Sequence, residues 1–180
     1  GRFGMRGHSL LLSNDDKTGP GRQTTALQGQ AVTARGVVIR RGTIDMLILS
    51  DAPQVRASAK ADAPPPPESL GRWRVAGEIC DGKCAAGAMR PGSGIAHRAC
   101  ATLCIDGEIP AIFVTTAPLA GHRFLLLADA AGATPMPAFR DWIGQRIVLE
   151  GEIVRYGDIA ILRSDLPSGS GKASGSGRRD

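Results

Sequence analysis

The chain has 180 residues, 42% hydrophobic and 22% charged, which is enough to bury a core in one domain or two small ones and excludes a wholly disordered polymer. Its net charge of +5 is spread over scattered arginines (Arg35, Arg40, Arg41, Arg72, Arg74, Arg90 and Arg98), so there is no electrostatic footprint of a committed nucleic-acid binder. No apolar stretch approaches the roughly 18 residues that span a bilayer, and Phe124-Leu-Leu-Leu-Ala128 reads as a strand.

At the start, Gly1-Arg-Phe-Gly precedes Met5 with no signal segment, which points to an upstream start or a processed piece and leaves room for a lost signal peptide or anchor. A repeat then emerges. Gly29-Gln-Ala-Val-Thr-Ala-Arg-Gly36 and its continuation to Leu47 match Gly144-Gln-Arg-Ile-Val-Leu-Glu-Gly151 and its continuation to Leu162 at a constant offset. Upstream, Gly7-His-Ser-Leu-Leu-Leu12 resembles Gly121-His-Arg-Phe-Leu-Leu126, one residue out of register with the later match. Duplication accounts for these identities better than chance likeness of two hairpins.

In the second copy, Ile147, Leu149 and Ile153 predict a strand bending at Gly151. Tyr156-Gly-Asp158 predicts a hairpin turn, and Ile159 to Leu162 the returning strand. A short helix is expected near Pro137, with Phe139 and Trp142 facing inward. Strands, a short helix and a curled hairpin describe a small barrel of the OB kind. The expected fold is therefore mainly β: two OB-like small β-barrel modules, the second with a Cys/His-bearing loop-helix insertion. The boundaries are 1–52 for an N-terminally incomplete first module, 53–70 for a Pro-rich linker, 71–165 for the second module and 166–180 for a disordered tail. The tail's Gly171-Lys172 fails as a phosphate loop, because Leu166 and Ala173 occupy the positions that need Gly and Ser/Thr.

The second module opens with a bent strand, Trp73 to Cys80, and continues with a strand from Ile109 to Thr115. Between these strands lie all four cysteines: Cys80-Asp-Gly-Lys-Cys84, then His97-Arg-Ala-Cys100-Ala-Thr-Leu-Cys104. On a helix His97, Cys100 and Cys104 share one face, and the Gly/Pro-rich 87–94 stretch is loose enough to fold Cys84 and Cys80 over it. Three chemistries compete. Cys84, His97, Cys100 and Cys104 are a tetrahedral zinc set with Cys80 spare or exchanging, and copper(I) is the rival metal, with Met89 in the same loop. An even cysteine count in an exported protein also suits disulfides. A thiol beside His97 suits a nucleophile, although no third group to orient the histidine stands out. The spacing favours the metal and matches no standard zinc finger or iron–sulfur pattern.

Cys84, His97, Cys100, Cys104, Gly107 and Pro110 carry a resemblance to a poorly characterised group of bacterial proteins. In these a strand ending in cysteine precedes His-x-x-Cys-Ala-x-x-Cys, a Gly and a Pro, then an OB-like remainder. The likeness covers roughly 75–163 and leaves Cys80 outside its pattern. It implies a Cys/His site in a periplasmic or membrane-anchored β-barrel, with a membrane or respiratory complex as partner.

Elsewhere, His8 and His122 mark strand starts, while Asp15, Asp16 and Asp129 mark turns. Trp73, Trp142, Phe113 and Phe124 are expected in the core. So few aromatics argue against a base-stacking platform. The expectation is thus a non-enzymatic metal-binding accessory domain. A disulfide-stapled interaction module and an OB-type nucleic-acid binder are the alternatives.

Overall fold

Val, Ile and Leu recur at alternate positions between turns marked by glycine and proline, and strands dominate the computed structural model. It describes residues 7–52, 54–60 and 63–167. The opening around Met5 and the tail's Gly171-Lys172 lie outside the described residues. In chain order the elements are β1 (Leu11–Ser13), α1 (Arg22–Thr25), β2 (Gln30–Thr33), β3 (Gly36–Arg41), β4 (Ile44–Leu49), β5 (Gln54–Lys60), β6 (Glu68–Asp81), α2 (Arg98–Asp106), β7 (Ala111–Leu119), β8 (His122–Asp129), β9 (Arg146–Tyr156) and β10 (Ile159–Ser164). Short 3-10 turns occupy Ile95–His97 and Arg140–Trp142, and a π-helical turn Cys84–Ala88. Among the described residues no helix is long and apolar enough to cross a membrane.

The last five strands close a barrel in the order β10-β8-β7-β6-β9. The long β6 pairs antiparallel with both β9 and β7, while β10 closes the ring by pairing parallel with β8 and antiparallel with β9. Before the barrel stand a three-stranded sheet, β1-β4-β3, and a two-stranded ribbon of β2 and β5. The linker expectation needs correction here. Gln54–Lys60 forms β5, and its backbone is taken up by pairing with β2. Glu68 already opens β6, so the prolines at 64–67 belong to a much shorter connection than 53–70.

One shift in numbering carries the pairing of the three-stranded sheet onto that of the barrel. Leu11 opposite Met46 becomes Leu126 opposite Ile161, and Gly36 opposite Leu49 becomes Gly151 opposite Ser164. The hairpin turns also correspond, at Gly42 and Gly157, each with φ of 59°. The hairpin of the barrel reaches the first sheet: Asp158 accepts the Ser9 N–H at 2.8 Å and lies 2.5 Å from His8 Nδ1.

Two cores share the barrel wall. Ala111 and Phe113 of β7, and Leu125 and Leu127 of β8, point into the barrel with Ile79, Leu149 and Leu162. The alternate residues Ile112, Val114, Phe124 and Leu126 point outward, against Leu11, Ile44 and Met46 of the first sheet. The run Phe124 to Ala128 is apolar throughout because both of its faces are covered. Each such side chain contributes roughly 1.5–3 kcal/mol when fully buried. Cys80, Cys84 and Cys104 belong to the outer core. Phe113 and Phe124 are buried as expected and Trp142 is partly buried, but Trp73 is 44% exposed. Its indole N–H donates to the Leu70 carbonyl at 2.7 Å, so a local hydrogen bond holds the ring at the surface of β6.

Gly36 and Gly151 occupy equivalent crowded positions. A Cβ there would collide with the carbonyl oxygen of Ile48 or Arg163 on the neighbouring strand. Gly36→Ala and Gly151→Ala should each destabilise the chain, by about 2–3 kcal/mol, measured as a lowered urea midpoint. Equal costs at the two sites are expected from their matching geometry.

Candidate metal centre

The centre is assembled where β6 ends. Asp81, fully buried, is the last residue of that strand, and its two carboxylate oxygens face different parts of the cysteine segment. Oδ1 accepts the Cys84 N–H at 2.8 Å and so caps the π-helical turn; Oδ2 lies 3.1 Å from His97 Nε2. A carboxylate hydrogen-bonded to one ring nitrogen fixes the imidazole's orientation and leaves Nδ1 as the other donor atom. Gly87, with φ of 117°, breaks the turn and releases the chain into the loop that returns at Ile95. His97 then precedes α2, the helix expected over 97–104, which carries Cys100 and Cys104.

The donor atoms of Cys84, His97 and Cys100 all lie within 4.8 Å of one another. Tetrahedral zinc with sulfur ligands needs donors about 3.4–3.8 Å apart, so a small contraction would complete the set. Cys104, the expected fourth ligand, is not among these converging donors; it is buried in the outer core. Cys80 stands apart from these three: its thiol donates to the Gly92 carbonyl at 2.6 Å, although its sulfur, Asp81 and His97 form a second, overlapping group within 4.8 Å. All four cysteines are free thiols.

Three further residues of the centre escaped the sequence reading. Asp81 and Lys83 sit in plain view inside Cys80-Asp-Gly-Lys-Cys84, where two charges in an apolar stretch were the available signal. Lys83 Nζ donates to the carbonyls of Asn14, Asp15 and Asp16 at 2.8, 2.6 and 2.8 Å, using all three of its donors. That bond set clamps the loop after β1 over the cysteines. From this loop Lys17 reaches Cys100, with Nζ 2.8 Å from Sγ. Lys17 is 83 residues away in sequence, and nothing local marks it.

Burial and then the Asp81 charge push the Cys84 thiol well above its ordinary value of 9.0, and the same causes push Cys104 up to about 12. Cys80 is raised chiefly by burial. Asp81 beside His97 supplies the orienting group that a thiol nucleophile requires, but a nucleophile needs its thiol pKa lowered. Cys80, Cys84 and Cys104 are shifted the other way, so none of these three is poised as a nucleophile. A cleft of about 870 Å³ lies elsewhere, bordered by Arg22, Asp106, Pro110 and Met136, and neither His97 nor any cysteine lines it. No known family model, curated protein or solved structure matches the chain.

The raised thiol values fix a pH dependence for the metal-free protein. The folded chain keeps its thiol protons while the unfolded chain loses them above about 9, so stability is intact below that pH and falls as pH rises toward about 12. Thermal melts in chelator should show a falling midpoint over that range, and Cys104→Ser should flatten the slope.

Proposed function

We propose that this chain is a non-enzymatic metal-binding accessory domain that holds zinc or copper(I) through Cys84, Cys100 and Cys104 as thiolates and His97 as a neutral imidazole. The observation that carries the reading is the convergence of Cys84, His97 and Cys100 donor atoms within 4.8 Å, from three separate turns of chain, in a largely apolar core. The Asp81 contact to His97 supports it, because metal-bound imidazoles ordinarily carry such a partner. Cys80, already committed to Gly92, stays outside the ligand set.

The scaffold belongs to the same proposal. The barrel is OB-like, and the β1-β4-β3 sheet is a second copy of its β8-β10-β9 portion. The shared register and the matched hairpin glycines support this. An exported or membrane-anchored setting, with a membrane or respiratory complex as partner, comes with the resemblance of the cysteine motif; cell fractionation tests it.

Protein purified without chelator should carry about one metal ion per chain, with thiols that titrate only after the ion is removed. Absence of metal overturns the reading, and absence of both metal and free thiols favours the disulfide-stapled module instead. Asp81→Asn should weaken metal affinity by about 10–100-fold, and His97→Ala should weaken it further. Cys80→Ser should leave the ion in place.

One observation favours a second reading, an OB-type nucleic-acid binder. Trp73 is exposed, and beside it Arg72, Arg74 and Arg146 line a cleft that Trp73 does not border and that Glu150 and Asp165 also line. Arg74 is paired with Glu150 at 3.2 Å, which offsets part of that charge. Salt-sensitive binding of a single-stranded oligonucleotide that is lost in Trp73→Ala would establish this reading. Binding that ignores Trp73 would remove it.

A further inference from the structure

We infer that the centre exchanges its ion with a thiolate-bearing partner through Cys100, and that Lys17 is the positioning residue for the exchange. This rests on the metal-binding reading above. The ligands are unequally enclosed: Cys84 and Cys104 are 4% and 2% exposed and His97 is 3% exposed, whereas Cys100 is half-buried and opens toward solvent. An incoming ligand therefore meets the ion from the Cys100 side.

Lys17 stands at that opening by construction of the fold. Its Nζ lies 2.8 Å from Cys100 Sγ. The loop that delivers it is held by the three Lys83 bonds and by the Gly19 N–H, which donates to the Gly107 carbonyl at 2.6 Å. Gly107 itself accepts the close approach of the Lys17 carbonyl, where a Cβ would collide. Asn14 Nδ2 donates to the Gly19 carbonyl at 2.7 Å and closes the loop on itself. A side chain that is otherwise exposed is thus anchored from both ends of its loop.

The chemistry of exchange explains an ammonium at this point. The sulfur of the incoming thiol loses its proton to solvent and forms a bond to the ion; the bond from Cys100 Sγ to the ion breaks, and no electron changes hands. The departing Cys100 thiolate carries a full negative charge, where the coordinated one shared its charge with the ion. A nearby ammonium stabilises the full charge more strongly, so it favours departure, and it also attracts an anionic attacker. Cys84 and Cys104, packed against Ala85 and Ile109 in the outer core, are the ligands that stay.

The test uses the full chain loaded with Zn²⁺ and, in a parallel anaerobic arm, with Cu⁺. Glutathione at fixed pH serves as the attacking thiolate and a coloured chelator as the sink. Lys17→Met keeps the aliphatic stem and removes the charge; it should slow thiol-driven release about tenfold while changing equilibrium affinity much less. Lys17→Arg should restore the rate. Release from Lys17→Met that is unchanged or faster overturns the exchange role, since a lysine that merely tethers the loop would, when lost, open the centre and speed release. A chain that takes up neither ion overturns the metal reading itself, so the two failures are distinguishable.

Discussion

The buried carboxylate of Asp81 sets the terms for everything around it. A carboxylate removed from water costs several kcal/mol unless its oxygens find donors, and here the donors are the Cys84 amide and the His97 ring. Those two contacts bracket the glycine- and proline-rich loop from 84 to 97 and give it a defined start and finish. The same charge raises the thiols beside it. One group therefore shapes the cysteine segment and adds to burial, the larger cause, in raising the Cys84 and Cys104 thiols.

The cysteine segment lies on the outside of the barrel wall, yet its Cys80, Cys84 and Cys104 are buried. Leu11, Ile44 and Met46 of the first sheet cover it, and the loop after β1 is pinned over it by Lys83. The centre is consequently a property of both halves of the chain. The barrel supplies the donor atoms, while the first sheet and its loop supply enclosure and a positive charge.

Much of this was legible in the sequence wherever the information is local. Alternation marked the strands of the barrel, Tyr156-Gly-Asp158 the hairpin, and the spacing of Cys100 and Cys104 the helix that carries them, with His97 at its entry. The missing parts depend on distant segments. β5 was hidden because its partner β2 decides its conformation and the neighbouring prolines dominate the composition. Trp73 was placed in the core on residue type alone, and a single hydrogen bond to Leu70 keeps it outside. Asp81 lay within the motif, but its importance comes from His97 sixteen residues on; Lys17 carries no local mark at all.

The two-sided burial of β7 and β8 bears on how the chain can be divided. By composition the prolines at 64–67 look like a place to separate two independent domains. A barrel cut free there would carry Ile112, Val114, Phe124 and Leu126 on an uncovered wall, an adhesive strip of the kind that draws copies together. The short proline bridge therefore joins two halves that cover each other's apolar faces.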